Sequence, residues 1–196
     1  MVVVLCMAWL ALRLSTPRAA GWFVFDDSFY YFAIARNVAH GLGSTFDQLH
    51  ATNGYHPLWL AICTLPYLAG LDDERAVQAL LGLCALGLGA SIALVSRVVE
   101  RRAADAGERA GRAIGAAGVL LCAFAFSPLG VSLFANGLES TCTLVFAAAL
   151  IDRLDAHGDA LFDRDRTRAR LGISALAAGA FLSRTDAIFL VFWLGA

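Results

Sequence analysis

From Ala76 to Ser96 the chain runs through twenty-one residues without one charged side chain, and no other feature constrains its fold as strongly. As a helix that run is roughly 31 Å long, close to the ~30 Å hydrocarbon core of a bilayer. It is not alone. Apolar runs also occupy residues 1–14, 113 to about 134 (interrupted at Ser127-Pro128), about 140–151, and from Leu171 onward. Across the chain 59% of residues are hydrophobic and only 16% charged, with a mean hydropathy of +0.68. A soluble domain sits nearer half apolar and a quarter charged. These features predict an all-α, polytopic transmembrane helical bundle, with residues 1–196 forming one membrane domain. Both ends fall inside apolar runs, so the chain reads as the N-terminal part of a larger membrane protein.

Arginine placement gives the expected orientation. All fifteen basic residues are Arg, and ten of them fall in two segments, 97–112 and 152–170. Basic residues near span ends mark the cytoplasmic side, so both segments are expected to be cytoplasmic loops. Residues 15–56 and the Asn136-Gly137-Leu138-Glu139 corner are then extracytoplasmic, in a multi-pass protein of the plasma (inner) membrane. Residues 57–71, about 15 long or ~22 Å, are short for a crossing and are expected to dip in without passing through, the alternative being a crossing that puts Asp26 on the cytoplasmic side. A net charge of −1 supplies no basic field for nucleic acid. The five cysteines lie singly in apolar segments without metal-ligand spacing and read as small buried hydrophobes.

The chemistry-bearing residues concentrate in the first extracytoplasmic loop. Asp26 and Asp27 are embedded among Phe25, Phe29, Tyr30 and Tyr31. A carboxylate set against low-dielectric surroundings holds its proton more tightly than one in water, which suits a general base. Adjacent carboxylates are also a donor pair for a divalent cation, although no complete metal site can be named. The simplest alternative makes the first acid a helix N-cap and the second a first-turn acid. A helical pattern follows and ends at Gly41 and Gly43. It places Tyr31, Phe32, Ile34, Ala35, Val38 and Leu42 on one side and Asp26, Tyr30, Ala33, Asn37 and His40 on the other, which predicts an amphipathic helix on the membrane surface. Thr52-Asn53-Gly54-Tyr55-His56 reads as a turn, and Pro57 as the first residue of the next helix. Asp72-Asp73-Glu74 reads as a solvated helix cap. Arg36 lies ~15 Å along its helix from Asp26, too far to pair with it, and is a candidate for holding phosphate or sugar hydroxyls. Glu139, at a helix junction, and Arg184 with Asp186, interrupting an apolar run, are further candidates. Ionisable groups at membrane depth face polar cavities or pair with one another.

The order of these features resembles the N-terminal part of the GT-C class of polytopic glycosyltransferases. Asp26-Asp27-Ser28-Phe29-Tyr30-Tyr31 is followed by Ala35-Arg36-Asn37, Gly41-Leu42-Gly43, Phe46-Asp47 and Thr52-Asn53-Gly54-Tyr55-His56-Pro57-Leu58-Trp59, then Asn136-Gly137-Leu138-Glu139-Ser140 and Ser183-Arg184-Thr185-Asp186. The likeness is greatest to the bacterial branch that resembles the mycobacterial terminal arabinofuranosyltransferases. It implies a GT-C fold, and inverting transfer of a sugar from a polyprenyl-phosphate donor to an extracytoplasmic glycan, lipid or protein acceptor. It also implies a catalytic acid at the acidic pair, Asp26 in the first place and Asp27 in the second, with Arg36, Asn53, His56, Glu139, Arg184 and Asp186 as substrate contacts. Where relatives commonly have Arg-Pro-Glu-Gly, this chain has Arg184-Thr185-Asp186-Ala187, which keeps both charges without Pro or Gly. The rival expectation is a non-catalytic membrane protein, such as a lipid-linked-sugar transporter or a subunit of an envelope complex.

Overall fold

The computed structural model describes residues 24–125, 127–157 and 167–195. The apolar segment 1–14, Cys6, and Arg164 and Arg166 lie outside the described residues. Among the described residues the regular structure is helical, and the only strand-like feature is an isolated bridge between Thr45 and Ala51. The order is α1 (Asp26–Ala39), α2 (Pro57–Leu68), α3 (Asp73–Asp105), α4 (Gly107–Ala125), α5 (Pro128–Phe134), α6 (Ser140–His157), α7 (Thr167–Ser183), a 3-10 turn (Thr185–Ala187) and α8 (Ile188–Gly195). The all-α expectation holds.

The long uncharged run becomes α3, a helix of 33 residues. It begins at an Asp72 N-cap, whose carboxylate accepts the Arg75 amide. Among the described residues it is the one helix long and apolar enough to cross a membrane. Its most apolar stretch has a mean hydropathy of 2.1 and is 44% buried, the rest being half-buried or exposed. The helix also continues through Asp105, so the first half of the expected loop 97–112 is helical. The chain then turns at Ala106 and Gly107 straight into α4. The apolar run 113–134 divides as its Ser127-Pro128 pair suggests: α4 ends at Ala125, and Ser127 caps α5 through the Gly130 amide.

The other helices sort by the end of α3 they reach. α4 and α6 pack along it, and α7 packs on α6. At one end Arg101 bonds Asp152 at 2.8 Å and Asp155 at 2.7 Å, and Arg102 joins Asp155, so the two arginine-rich segments meet. Near the other end α1 and α2 pack on each other, and α2 on α3. α2 has 12 residues, roughly 18 Å. His56, just before it, approaches Glu139, while Tyr67, near its last residue, lies in the field of Asp73 and Arg36. It therefore covers only the first part of α3 and never reaches the arginine-rich end, as its length predicts.

Helix α1 ends as its glycines indicate. Gly41 adopts φ 75°, its amide bonds Val38 O, and the Leu42 amide bonds Asn37 O, a Schellman closure. Two side assignments need correction. Asn37, placed on the polar side, is buried because its amide donates to Thr45 O at 2.8 Å and Phe46 O at 3.3 Å, tying down the following loop. Leu42, placed on the apolar side, is exposed because the chain has already left the helix. The apolar face is covered by protein: Tyr31, Phe32, Ile34 and Ala35 are buried in the core shared with α2 and α3.

Candidate functional site

The site is built on the Asn136–Glu139 junction between α5 and α6. Ser28 on α1 donates to Asn136 O at 2.8 Å, and the Trp59 indole on α2 donates to Gly137 O at 3.1 Å. Gly137 has φ 85°, and a Cβ there would meet Phe32 Cζ at 3.0 Å, so the close approach of α1 needs a glycine. The Asn136 side chain accepts the Leu138 amide and shapes the corner. These bonds set the start of α1, the start of α2 and Glu139 at fixed positions. The junction and the start of α6 lie against α3 at Cys84 and Gly87, roughly 16–21 Å along that helix from Asp73.

Glu139 is 7% exposed. A buried carboxylate is costly unless paired, and its Oε1 is supplied with partners. Arg184 Nη1 lies 3.2 Å from Oε1, and His56 Nε2 lies 3.7 Å from the same atom. The Tyr31 hydroxyl accepts the His56 amide at 3.0 Å. Burial, with the Glu139 carboxylate beside it, pushes the Tyr31 phenol up to about 12, so it stays protonated. Arg184 stands at the break between α7 and the 3-10 turn, in extended conformation. Its Nε and Nη2 bond Asp186 at 3.0 and 2.9 Å, which holds the Asp186 carboxyl below the usual range. Of the five N–H donors on the guanidinium, three are used in these contacts, leaving two for a ligand.

This network opens into a cleft of about 560 Å³. Asp27 and Tyr31 come from α1, Thr52 and Tyr55 from the loop before α2, Glu139 from the junction and Arg184 from the α7 break. Phe46 and Tyr30, with ring centroids 4.6 Å apart, close one side. The loop that carries Phe46 is locked by Asp47. This carboxylate accepts the Leu49 and His50 amides and pairs with the His50 ring at 2.7 Å, which depresses the Asp47 carboxyl and raises the His50 imidazole. Ser44 joins the loop to Thr52 O and the Tyr55 hydroxyl. The turn expected at 52–56 therefore falls earlier, between Thr45 and Ala51.

The sequence-derived candidates separate into two sets. His56, Glu139, Arg184 and Asp186 converge in one ion network, and Asp27 lines the same cleft. Asp26 and Asp27 are both exposed, so the low-dielectric surroundings expected for the pair are not found, and Asp26 does not line the cleft. Nor does either acid cap α1: Phe25 holds the N-cap position without a side-chain bond, and both aspartates fall inside the first turn. Acidic residues in a first turn still lie near the positive end of the helix dipole. Arg36 points elsewhere and pairs with Asp73 at 2.8 Å. Asn53 is exposed, while its neighbours Thr52 and Gly54 line the cleft. His50 and His56 do not come together, since each has its own carboxylate. Among the described residues no three carboxylate, imidazole or thiol groups are placed to hold a metal ion. Tyr31, Tyr55 and Thr52 were not among the sequence candidates. Tyr31 had a readable signal, because it lies four residues after Asp27 and so shares its helix face.

Comparison with protein-family models, with curated proteins and with solved structures finds no match to this chain.

Proposed function

We propose that the protein is a multi-pass membrane glycosyltransferase of GT-C type that takes a sugar from a polyprenyl-phosphate donor at this cleft. The observation that carries the reading is the convergence of Asp27 and Arg184, from opposite ends of the described chain, on one cleft above an apolar helical bundle. Large apolar side chains stand exposed on the bundle, among them Val119, Leu120, Phe189 and Phe192 at 69–80% exposure. Exposed apolar side chains in this number suit a lipid environment. In this orientation the arginine-rich end is cytoplasmic and the cleft extracytoplasmic.

Transfer with inversion needs a base on the acceptor hydroxyl and a cation at the leaving phosphate. Asp27 takes the hydroxyl proton as the acceptor oxygen forms its bond to the anomeric carbon. The bond from that carbon to the phosphate oxygen breaks, and polyprenyl phosphate leaves with the electron pair. The two unused N–H donors of Arg184 meet the negative charge growing on that oxygen. Glu139 and Asp186 hold the guanidinium in place, and Tyr30 and Phe46 offer aromatic faces to a sugar ring. Asp26, outside the cleft, has no part in this scheme.

The test is turnover of a polyprenyl-phosphate sugar by the full-length protein, followed as released polyprenyl phosphate. Asp27→Asn is expected to lower kcat by at least about 100-fold, the range of a lost general base, while Asp26→Asn stays within a few-fold of wild type. Equal turnover by wild type and Asp27→Asn would sink the assignment of the base to Asp27, and no turnover by wild type would favour a lipid-linked-sugar transporter or an envelope-complex subunit.

A further inference from the structure

At the opposite end of the bundle α3, α6 and α7 enclose a second cavity, of about 480 Å³. Its polar wall carries Arg97 from α3, Arg153 and His157 from α6, and Arg168 from α7. Asp152 also lines it, but Arg101 already occupies that carboxylate at 2.8 Å, and Asp155 nearby accepts from Arg101 and Arg102. Among the described residues Arg97, Arg153 and Arg168 make no ion pair, and Glu100, one turn beyond Arg97, does not line the cavity. Among the described residues, three guanidinium groups from three helices thus face one space whose lining carboxylate, Asp152, is already paired with Arg101.

The rest of the wall is apolar, with Leu94, Ile173 and Leu176 among its lining residues. Arg97 is the first charge after the long uncharged run of α3, so the cavity stands where that helix leaves the hydrocarbon. A free inorganic anion has no use for the apolar wall. A lipid uses both parts, its phosphate against the arginines and its first methylenes against the leucines. Basic pockets between membrane helices on the cytoplasmic side are suited to anionic head groups.

We propose that this cavity binds the phosphate head group of an anionic phospholipid. The site rests on α3 crossing the bilayer and is independent of glycosyl transfer at the other end, so either can fail without the other. The test is the melting temperature of the purified full-length protein in neutral detergent at constant ionic strength. It is titrated separately with dihexanoyl-phosphatidylglycerol, dihexanoyl-phosphatidylcholine and inorganic phosphate. Only the phosphatidylglycerol is expected to raise it. Each arginine is expected to contribute about fivefold to the apparent affinity, so the triple variant Arg97→Gln/Arg153→Gln/Arg168→Gln should bind on the order of 100-fold more weakly. The corresponding triple Lys variant should keep most of the affinity, and Arg109→Gln, outside the cavity, should match wild type. The three side chains are exposed, so the lipid-free melting temperature should not move. Equal stabilisation by inorganic phosphate, no stabilisation by phosphatidylglycerol, or a Gln triple that binds like wild type would each overturn the proposal.

Discussion

Asp47 and His50 show how single side chains shape the cleft from outside it. The carboxylate fastens the loop that presents Phe46 by accepting two amides and the His50 ring. Linkage gives the sign of its pH dependence. Asp47 is depressed from 3.8, so its contribution is present above that value and lost as pH falls through the lower folded value. His50 is raised from 6.5, so its contribution is complete below 6.5 and lost as pH rises through the higher folded value. The loop should be tightest between the two. Protection of the Leu49 and His50 amides against hydrogen exchange, corrected for intrinsic rate, is expected to peak there and to fall in part above it. His50→Gln should remove the alkaline fall alone. Protection that stays flat from acid to alkaline pH would refute the coupling.

At the same scale, the sequence announced some residues and concealed others. Glu139, Arg184 and Asp186 stood out because a charge in an apolar run needs a partner, and the structure gives each one. Asp27 and Asp26 are neighbours in the sequence, yet successive helical residues point about 100° apart, and only tertiary packing decides which one meets a cleft. Arg36 misled because its partner, Asp73, comes from a different helix and read as a cap residue.

At the element scale, glycine controls how closely the helices approach. Gly179 on α7 faces Phe146 on α6, and a Cβ there would fall 2.3 Å from Phe146 Cε1. Gly115 on α4 faces open space. Small residues let membrane helices draw together, so these two positions should respond in opposite directions. Gly179→Ala is expected to destabilise the protein by about 1–3 kcal/mol through overpacking. Gly115→Ala should stabilise it by about 0.5–1 kcal/mol through helix propensity. Thermal or denaturant unfolding in detergent measures both, and a Gly179→Ala variant as stable as wild type would contradict the packing. Helix limits were readable wherever local chemistry sets them: Gly41 ends α1, Asp72 caps α3 and Pro57 opens α2. The continuation of α3 through Arg97–Asp105 was not, because charged residues there suggested a loop, whereas Arg101 and Arg102 are held by α6.

Across the described residues two polar ends are separated by an apolar middle. The distance from Asp73 to Arg101 along α3 is roughly 42 Å, more than the ~30 Å hydrocarbon core of a bilayer. The cleft is set some way in from the Asp73 end, and the arginine cavity lies at the other. That two-ended arrangement was legible from arginine counting and run lengths alone. The cleft was not, because its walls come from α1, the loop before α2, the α5–α6 junction and the end of α7, and no local pattern records that they meet.

The central claim, a cleft open to the outside of the membrane and an arginine-rich end open to the inside, can be tested by labelling from one side. Asn53, at the cleft rim, and Arg109, at the other end, are both exposed. Each is replaced by cysteine in the full-length protein, and the unsubstituted chain serves as the blank. Intact cells or spheroplasts are treated with a membrane-impermeant maleimide before and after permeabilisation. Asn53→Cys should label in intact cells, and Arg109→Cys only once the membrane is opened. Labelling of both from the same side, or of Asn53→Cys only after permeabilisation, would contradict the account.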